Sequence, residues 1–155
     1  MRTRMRDHGP TIGLQTMLVL SALAAAACGG GVFDESELLN RVQRAGTENA
    51  PCPDYLGAST EGETQRCFRT ALNPDEFVRR LVNLLPAPDG FDLQTGFDWV
   101  RESDVRLQGG CVADVVDSSL PYPYAGGEAL FGIVDRRRCD DGVWVVLYTA
   151  PSAAD

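Results

Sequence analysis

The clearest pattern of apolar and polar positions in the chain predicts a helix at 74–85. In "NPDEFVRRLVNLL", residues 73–85, apolar side chains recur every three or four positions and leave a polar strip opposite them. Asn73 is a suitable N-cap, Pro74 suits the first helical position, and Pro86 ends the pattern. We expect a core helix packed on a sheet; the alternative is an amphipathic helix that binds a partner.

A second helix is predicted nearer the N-terminus, in "FDESELLNRVQRAG", residues 33–46. Asp34 or Ser36 can accept hydrogen bonds from the free backbone N–H groups at its start, and Gly46 is a natural stop. Its apolar stripe is partial and consists of Leu38, Leu39 and Val42. The residues that follow, 47–64, are rich in turn-forming types, which predicts an irregular loop.

Most of the remaining chain is typical of β-strands. "QRCFRTAL", 65–72, alternates in the manner of a strand, with Cys67 on one face and Phe68 on the other. Further candidate strands occur at 91–94, 97–102, 104–108, 111–116, 129–135 and 143–149. The last two flank the turn signal Asp141-Gly142, so we expect them to form a hairpin of central strands.

These elements predict a single α+β domain over residues 32–155. We expect an antiparallel sheet of four to six strands with one principal helix packed on it, stapled by disulfides. The length suits one ordinary domain with a core of its own.

The N-terminal residues have the pattern of a secretory signal. Arg2, Arg4 and Arg6 precede an apolar run at 17–27 that ends in small residues. At about 1.5 Å per residue, this run covers only about half of a ~30 Å hydrocarbon core. The run therefore favours an export signal over a membrane-spanning helix.

The end of this leader, "AAAC" at 25–28, resembles a bacterial lipobox. The resemblance implies that the Cys28 sulfur carries a diacylglyceryl group and that cleavage precedes it. The chain departs from the lipobox pattern at Ala25, where leucine is usual. We expect a signal peptide at 1–27, a lipid-anchored tether at 28–31, and a location on the extracytoplasmic face of the cell membrane. Ordinary signal cleavage at the same place, which would release a secreted protein, is the alternative.

The other four cysteines are expected to be structural. Assigning Cys28 to lipid leaves Cys52, Cys67, Cys111 and Cys139, an even set without C-x-x-C spacing. Three pairings are possible. We favour Cys52–Cys67, which pins the polar loop to the first strand, and Cys111–Cys139, which ties a strand end to the hairpin.

Charge and composition limit the possible chemistry. Residues 28–155 contain 11 Arg and 21 Asp plus Glu, and they contain neither Lys nor His. Such an acidic surface repels nucleic acid, and the missing residue types exclude Ser-His-Asp triads, Schiff bases and histidine-ligated zinc within this segment. We expect no enzyme activity, no metal and no cofactor.

The most unusual segment is "LPYPYAGGE", 120–128. Its prolines favour a rigid loop, and exposed tyrosines bind at a low entropic cost. Tyr122 and Tyr124 are therefore the predicted binding residues. The alternative is that both rings fold onto the edge of the core.

The acidic clusters are expected to be solvated surface. They occur at 34–37, 114–117 and 140–141, and none has the spacing of a calcium loop. We expect a membrane-tethered, non-enzymatic binding module for an unknown protein or envelope partner. The alternatives are a carboxylate-dependent enzyme acting on cell-wall glycans and a structural or assembly factor of an envelope complex.

Overall fold

The computed structural model describes residues 33–87, 99–108 and 110–152. The predicted signal peptide, the tether with Cys28, and the strand predicted at 91–94 lie outside the described residues. None of the helices in the described part of the chain has the length and apolar character needed to span a bilayer.

Two helices and seven strands make up the described fold. The helices are α1, Glu35–Arg44, and α2, Pro74–Leu84. The strands are β1 Thr47–Ala50, β2 Thr64–Thr70, β3 Trp99–Arg106, β4 Val112–Ser118, β5 Tyr122–Tyr124, β6 Gly127–Asp135 and β7 Val143–Pro151. Short 3₁₀ turns occur at Asp54–Leu56 and Arg137–Cys139.

All seven strands belong to one antiparallel sheet, in the order β1-β2-β7-β6-β4-β3. The strand β5 also pairs with β6, beyond the end of the β4–β6 ladder. The predicted hairpin is confirmed, since β6 and β7 pair along their whole length at the centre of the sheet. The predicted α+β class is confirmed as well.

Both helices begin where the sequence indicates. The Asp34 carboxylate accepts from the backbone N–H of Glu37 over 2.9 Å, and the Asn73 side chain caps α2 in the same way at Glu76, also over 2.9 Å. These bonds satisfy donors that a helix start leaves free.

The main core lies between the helices and one face of the sheet. Strand alternation directs every second side chain of β2, β4, β6 and β7 to this face. The fully enclosed side chains include Leu38, Val42, Phe68, Phe77, Leu81, Tyr122, Phe131, Ile133, Val145 and Leu147. Helix α2 is therefore a core helix, as its pattern predicts.

A smaller apolar cluster covers part of the other face of the sheet. It consists of Leu56, Cys67, Leu107, Ala113, Val115, Val134, Trp144 and Val146. No residue of α1 or α2 belongs to it. Within the described ranges this face, which we call the helix-free face, is covered by the 3₁₀ turn at Asp54–Leu56 and by Leu107, and by neither helix.

The structure differs from the sequence-based prediction at β1, β3 and β5, the last of which replaces part of the rigid loop expected at 120–128. We expect an irregular loop from residue 47, but Thr47–Ala50 forms a strand that pairs with Cys67–Thr70 of β2. The two strands expected at 97–102 and 104–108 are one strand, β3, with a bulge between Glu102 and Val105.

The predicted disulfide pairing is confirmed. Cys52 pairs with Cys67, with Cα atoms 5.0 Å apart, and Cys111 pairs with Cys139, with Cα atoms 6.3 Å apart. The first bond fixes the loop after β1 to β2. The second ties the start of β4 to the turn between β6 and β7.

Candidate functional site

The two tyrosines of the Tyr-Pro segment lie in the core. Tyr122 is 0 % and Tyr124 7 % exposed. The Tyr122 hydroxyl donates to the Pro86 carbonyl over 2.6 Å, and its ring stacks on Phe33. The expected exposure of these rings is wrong, because the segment forms β5 and the alternation of a strand places both rings on the helix-covered face. The binding role predicted for them thereby loses its basis.

The arginines of "RRR" in the β6–β7 turn are held in ion pairs. Arg137 binds Asp135 over 2.6 Å. Arg138 bridges Asp104, over 2.8 Å, and Asp114, over 2.7 Å. The bond from Arg138 lowers the pKa of the Asp114 carboxyl, as Arg137 does for Asp135. Carboxylates therefore neutralise the arginines of this turn.

Asp141 organises the covered end of the helix-free face. Its Oδ2 accepts from the Tyr55 hydroxyl over 3.0 Å and from the Trp144 indole N–H over 3.2 Å, and it pairs with Arg136. The Arg136 guanidinium also lies 3.7 Å from the centroid of the Tyr55 ring. These contacts join the 3₁₀ turn to the hairpin, which gives them a structural role.

Asp117 has a different arrangement on the same face of the sheet. Asp117 of β4 lies opposite Gly132 of β6, and Val100 of β3 flanks it on the other side. A Cβ at Gly132 would lie 2.8 Å from the Asp117 Oδ1. The carboxylate therefore extends over the bare backbone of β6, in space that a glycine leaves empty.

Asp117 is unusual among the carboxylates of the described residues. It is half-buried, yet it makes neither a hydrogen bond nor an ion pair. Each other half-buried carboxylate in that part of the chain has a partner: Glu35, Glu37, Glu63, Glu76, Asp114, Asp135 and Asp141. A desolvated charge without a partner costs stability, so its presence calls for an explanation.

The Asp117 carboxylate remains accessible to solvent. Among the described residues, the only enclosed side-chain nitrogen or oxygen without a partner is Arg136 Nε. The oxygens of Asp117 are therefore not sealed inside the protein.

Burial dominates the electrostatics of the site. It raises the pKa of Asp117 to about 6, with a smaller contribution from the negative charge of Glu102. Burial also raises the pKa of Tyr148, and the charges of Asp117 and Glu63 add to that effect. At neutral pH the site therefore holds a carboxylate that a positive charge would stabilise.

Tyr148 forms the neighbouring part of the same surface. It is half-buried on β7, and the Gln65 amide donates to its hydroxyl over 3.4 Å. Strand alternation places Tyr148, Gly132 and Asp117 on one face. We call Val100, Glu102, Asp117, Gly132 and Tyr148 the Asp117 site.

The position of Asp117 on an apolar face could be predicted in part from the sequence. Asp117 follows Ala113 and Val115 at alternating positions, so strand periodicity puts it on a face that is otherwise apolar. We expect solvated surface at 114–117, but Asp114 is half-buried and paired with Arg138, and Asp117 is half-buried without a partner among the described residues. The partner strand, and hence Gly132, cannot be identified from the local pattern.

The side chains around Asp117 are suited to an organic cation. No group of three or more His, Cys, Asp or Glu side chains able to hold a metal ion occurs among the described residues. A single carboxylate beside apolar and aromatic side chains matches an ammonium or guanidinium group. Comparison of the chain with protein-family models, curated proteins and solved structures found no match.

Proposed function

We propose that this protein is a membrane-tethered, extracytoplasmic binding module that holds a positively charged group of a protein or envelope partner at Asp117. The observation that carries the proposal is the half-buried Asp117 carboxylate without a hydrogen bond or ion pair among the described residues. A cationic ligand would supply the missing partner and offset the desolvation of the carboxylate.

The surroundings of the carboxylate support this choice of ligand. Glu102 adds a second negative charge, and the net charge of −10 over residues 28–155 attracts a basic partner over a longer range. The half-buried ring of Tyr148 adds aromatic surface to the same face.

The proposed location rests on the leader and on the disulfides. The lipobox-like "AAAC" offers Cys28 for acylation, and the remaining four cysteines all pair with each other. Structural disulfides are typical of proteins in oxidising compartments. If Cys28 carries lipid, the protein enters the detergent phase on phase separation, and Cys28→Ser leaves it in the aqueous phase because serine cannot accept the lipid.

Titration calorimetry with a short lysine-rich peptide tests the binding proposal. We expect Asp117→Asn to weaken peptide binding at least tenfold, since a buried charge pair would be lost. Asp140→Asn is the matched control, because it removes the same charge from an exposed residue in the β6–β7 turn. Equal losses in both variants would show that only the overall charge matters, and would contradict a defined site.

A specific observation also favours a second candidate, a carboxylate-dependent enzyme acting on cell-wall glycans. Asp117 has a pKa near 6, and Glu102 is close enough to influence it, which is the environment of a general acid with a second carboxylate nearby. Hydrolysis of a glycan substrate that disappears in both Asp117→Asn and Glu102→Gln would favour this candidate over the binding module.

A further inference from the structure

The neighbours of Asp117 restrict the kind of cation that fits the site. Among the described residues, the exposed large hydrophobic side chains are Val100, at 39 %, and Leu120, at 44 %. Val100 is the direct partner of Asp117 across β3 and β4. Within that part of the chain, an exposed apolar side chain therefore lies beside the one half-buried carboxylate that has no partner.

The position of Val100 is fixed by the strand register. Directly opposed residues on an antiparallel pair point to the same face, with Cβ atoms about 4.5–5.5 Å apart. The exposed methyl groups of Val100 therefore lie next to the Asp117 carboxylate on the helix-free face. A ligand whose charge reaches Asp117 from this side must pass over Val100.

On the β6 side of Asp117, the side chains project little from the sheet. Gly132 has no side chain, and the next residue across the sheet on β7 is the buried Val146. The carboxylate thus stands between an apolar shoulder at Val100 and a shallow apolar floor at Gly132 and Val146. Such surroundings bury methylene groups well and hydrate a compact ion poorly.

We propose that the Asp117 site takes a basic side chain of a partner protein, with the charged end on Asp117 and the aliphatic stem lying along Val100. The proposal rests on the function proposed above and specifies its ligand. A lysine or arginine side chain combines a charge with three or four methylene groups, which matches one carboxylate next to exposed apolar surface.

The alternative source of the same chemistry is the ammonium group of a phosphatidylethanolamine head group. That ammonium is two carbons from a phosphate, and the negative charge of Glu102 near Asp117 disfavours an anionic group there. A basic side chain carries no such negative group. The electrostatics therefore favour the protein source.

A series of n-alkylammonium ions tests the proposal on the full chain. The probes are methyl-, propyl- and pentylammonium, and binding is followed by NMR chemical-shift changes at Asp117 and Val100. We expect affinity to rise about two- to fourfold for each added methylene, as for partial to full burial of the stem. Val100→Thr keeps the branched shape of the strand residue, removes one exposed methyl group, and should flatten this rise.

The remaining outcomes separate the two proposals. A flat series that still depends on Asp117 would overturn the aliphatic-stem proposal and leave cation binding at Asp117 in place. Loss of all dependence on Asp117 would overturn both. Binding to phosphatidylethanolamine vesicles, abolished by Asp117→Asn and stronger than binding to a lysine-rich peptide, would overturn the assignment to a partner protein.

Discussion

Asp117 and Gly132 face each other across β4 and β6, and a methyl group at Gly132 would lie 2.8 Å from the Asp117 Oδ1. The backbone of Gly132 is not in the left-handed region, so alanine can be accommodated there without backbone strain. The side chain of Asp117 would have to move instead. Gly132 thus fixes where the carboxylate lies.

Gly132→Ala separates the position of the carboxylate from the stability of the fold. We expect the free energy of unfolding to change by no more than about 1 kcal/mol, since alanine restricts the unfolded chain and offsets the crowding. Binding of a lysine-rich peptide should fall severalfold. The measurements are urea denaturation and calorimetry, and unchanged peptide affinity would show that the position of the carboxylate is unimportant.

The raised pKa of Asp117 predicts how stability depends on pH. Its folded pKa of about 6 lies above the ordinary value of 3.8, so the folded state binds the proton more tightly than the unfolded state. Below about pH 4 the carboxyl is protonated in both the folded and the unfolded state, so its burial does not lower the free energy of unfolding through charge. Between about pH 4 and pH 6 the cost grows as pH rises, and above that window it is complete.

Asp117→Asn should therefore stabilise the protein at pH 8 and have little effect at pH 4. We expect a gain of about 1–2 kcal/mol at pH 8, below the value implied by the full pKa shift because the site is partly solvated. Thermal unfolding at both pH values measures it. Destabilisation at pH 8 would mean that the carboxylate has a stabilising partner in the folded protein.

The aromatic rings of β5 are predicted to stabilise the fold. Tyr122→Ala should cost about 3–5 kcal/mol, because a fully buried ring leaves a cavity. Tyr122→Phe keeps the ring and loses the hydrogen bond to Pro86, at a cost of about 1 kcal/mol. Chemical denaturation compares them, and a Tyr122→Ala protein as stable as the wild type would contradict burial of the ring.

Helix α2 offers a matched pair of substitutions. Leu81 is 0 % exposed, so Leu81→Ala should lower the free energy of unfolding by about 2–5 kcal/mol. Arg79, two residues earlier, is exposed, and Arg79→Ala should change it by less than about 0.5 kcal/mol. Similar small effects on the denaturation midpoint would instead indicate a surface helix.

The local elements were largely predictable because their signals are local. Asn73 and Pro74 mark the start of α2, and the turn at Asp141-Gly142 marks the central hairpin. The burial of Tyr122 was not predictable with the same ease. Alternating tyrosine and proline favour an exposed loop. The rings lie in the core because the segment pairs with the first three residues of β6, Gly127–Ala129.

The candidate site was harder to predict than the fold for a related reason. Asp117 was visible as part of an acidic cluster, but its lack of a partner depends on three strands. Arg138, in the turn after β6, pairs with Asp114 of β4 and not with Asp117. Strand order, rather than composition, decides which carboxylate of "DVVD" is neutralised.

The direct test of the central claim is the pKa of Asp117 itself, measured by NMR titration of its side-chain carboxyl with and without a saturating lysine-rich peptide. We predict a midpoint near pH 6 for the free protein, because burial disfavours the charged form. Bound peptide should lower that midpoint, because a cation stabilises the carboxylate. A midpoint near 4 in the free protein, or one that the peptide does not move, would contradict a cation-binding role for Asp117.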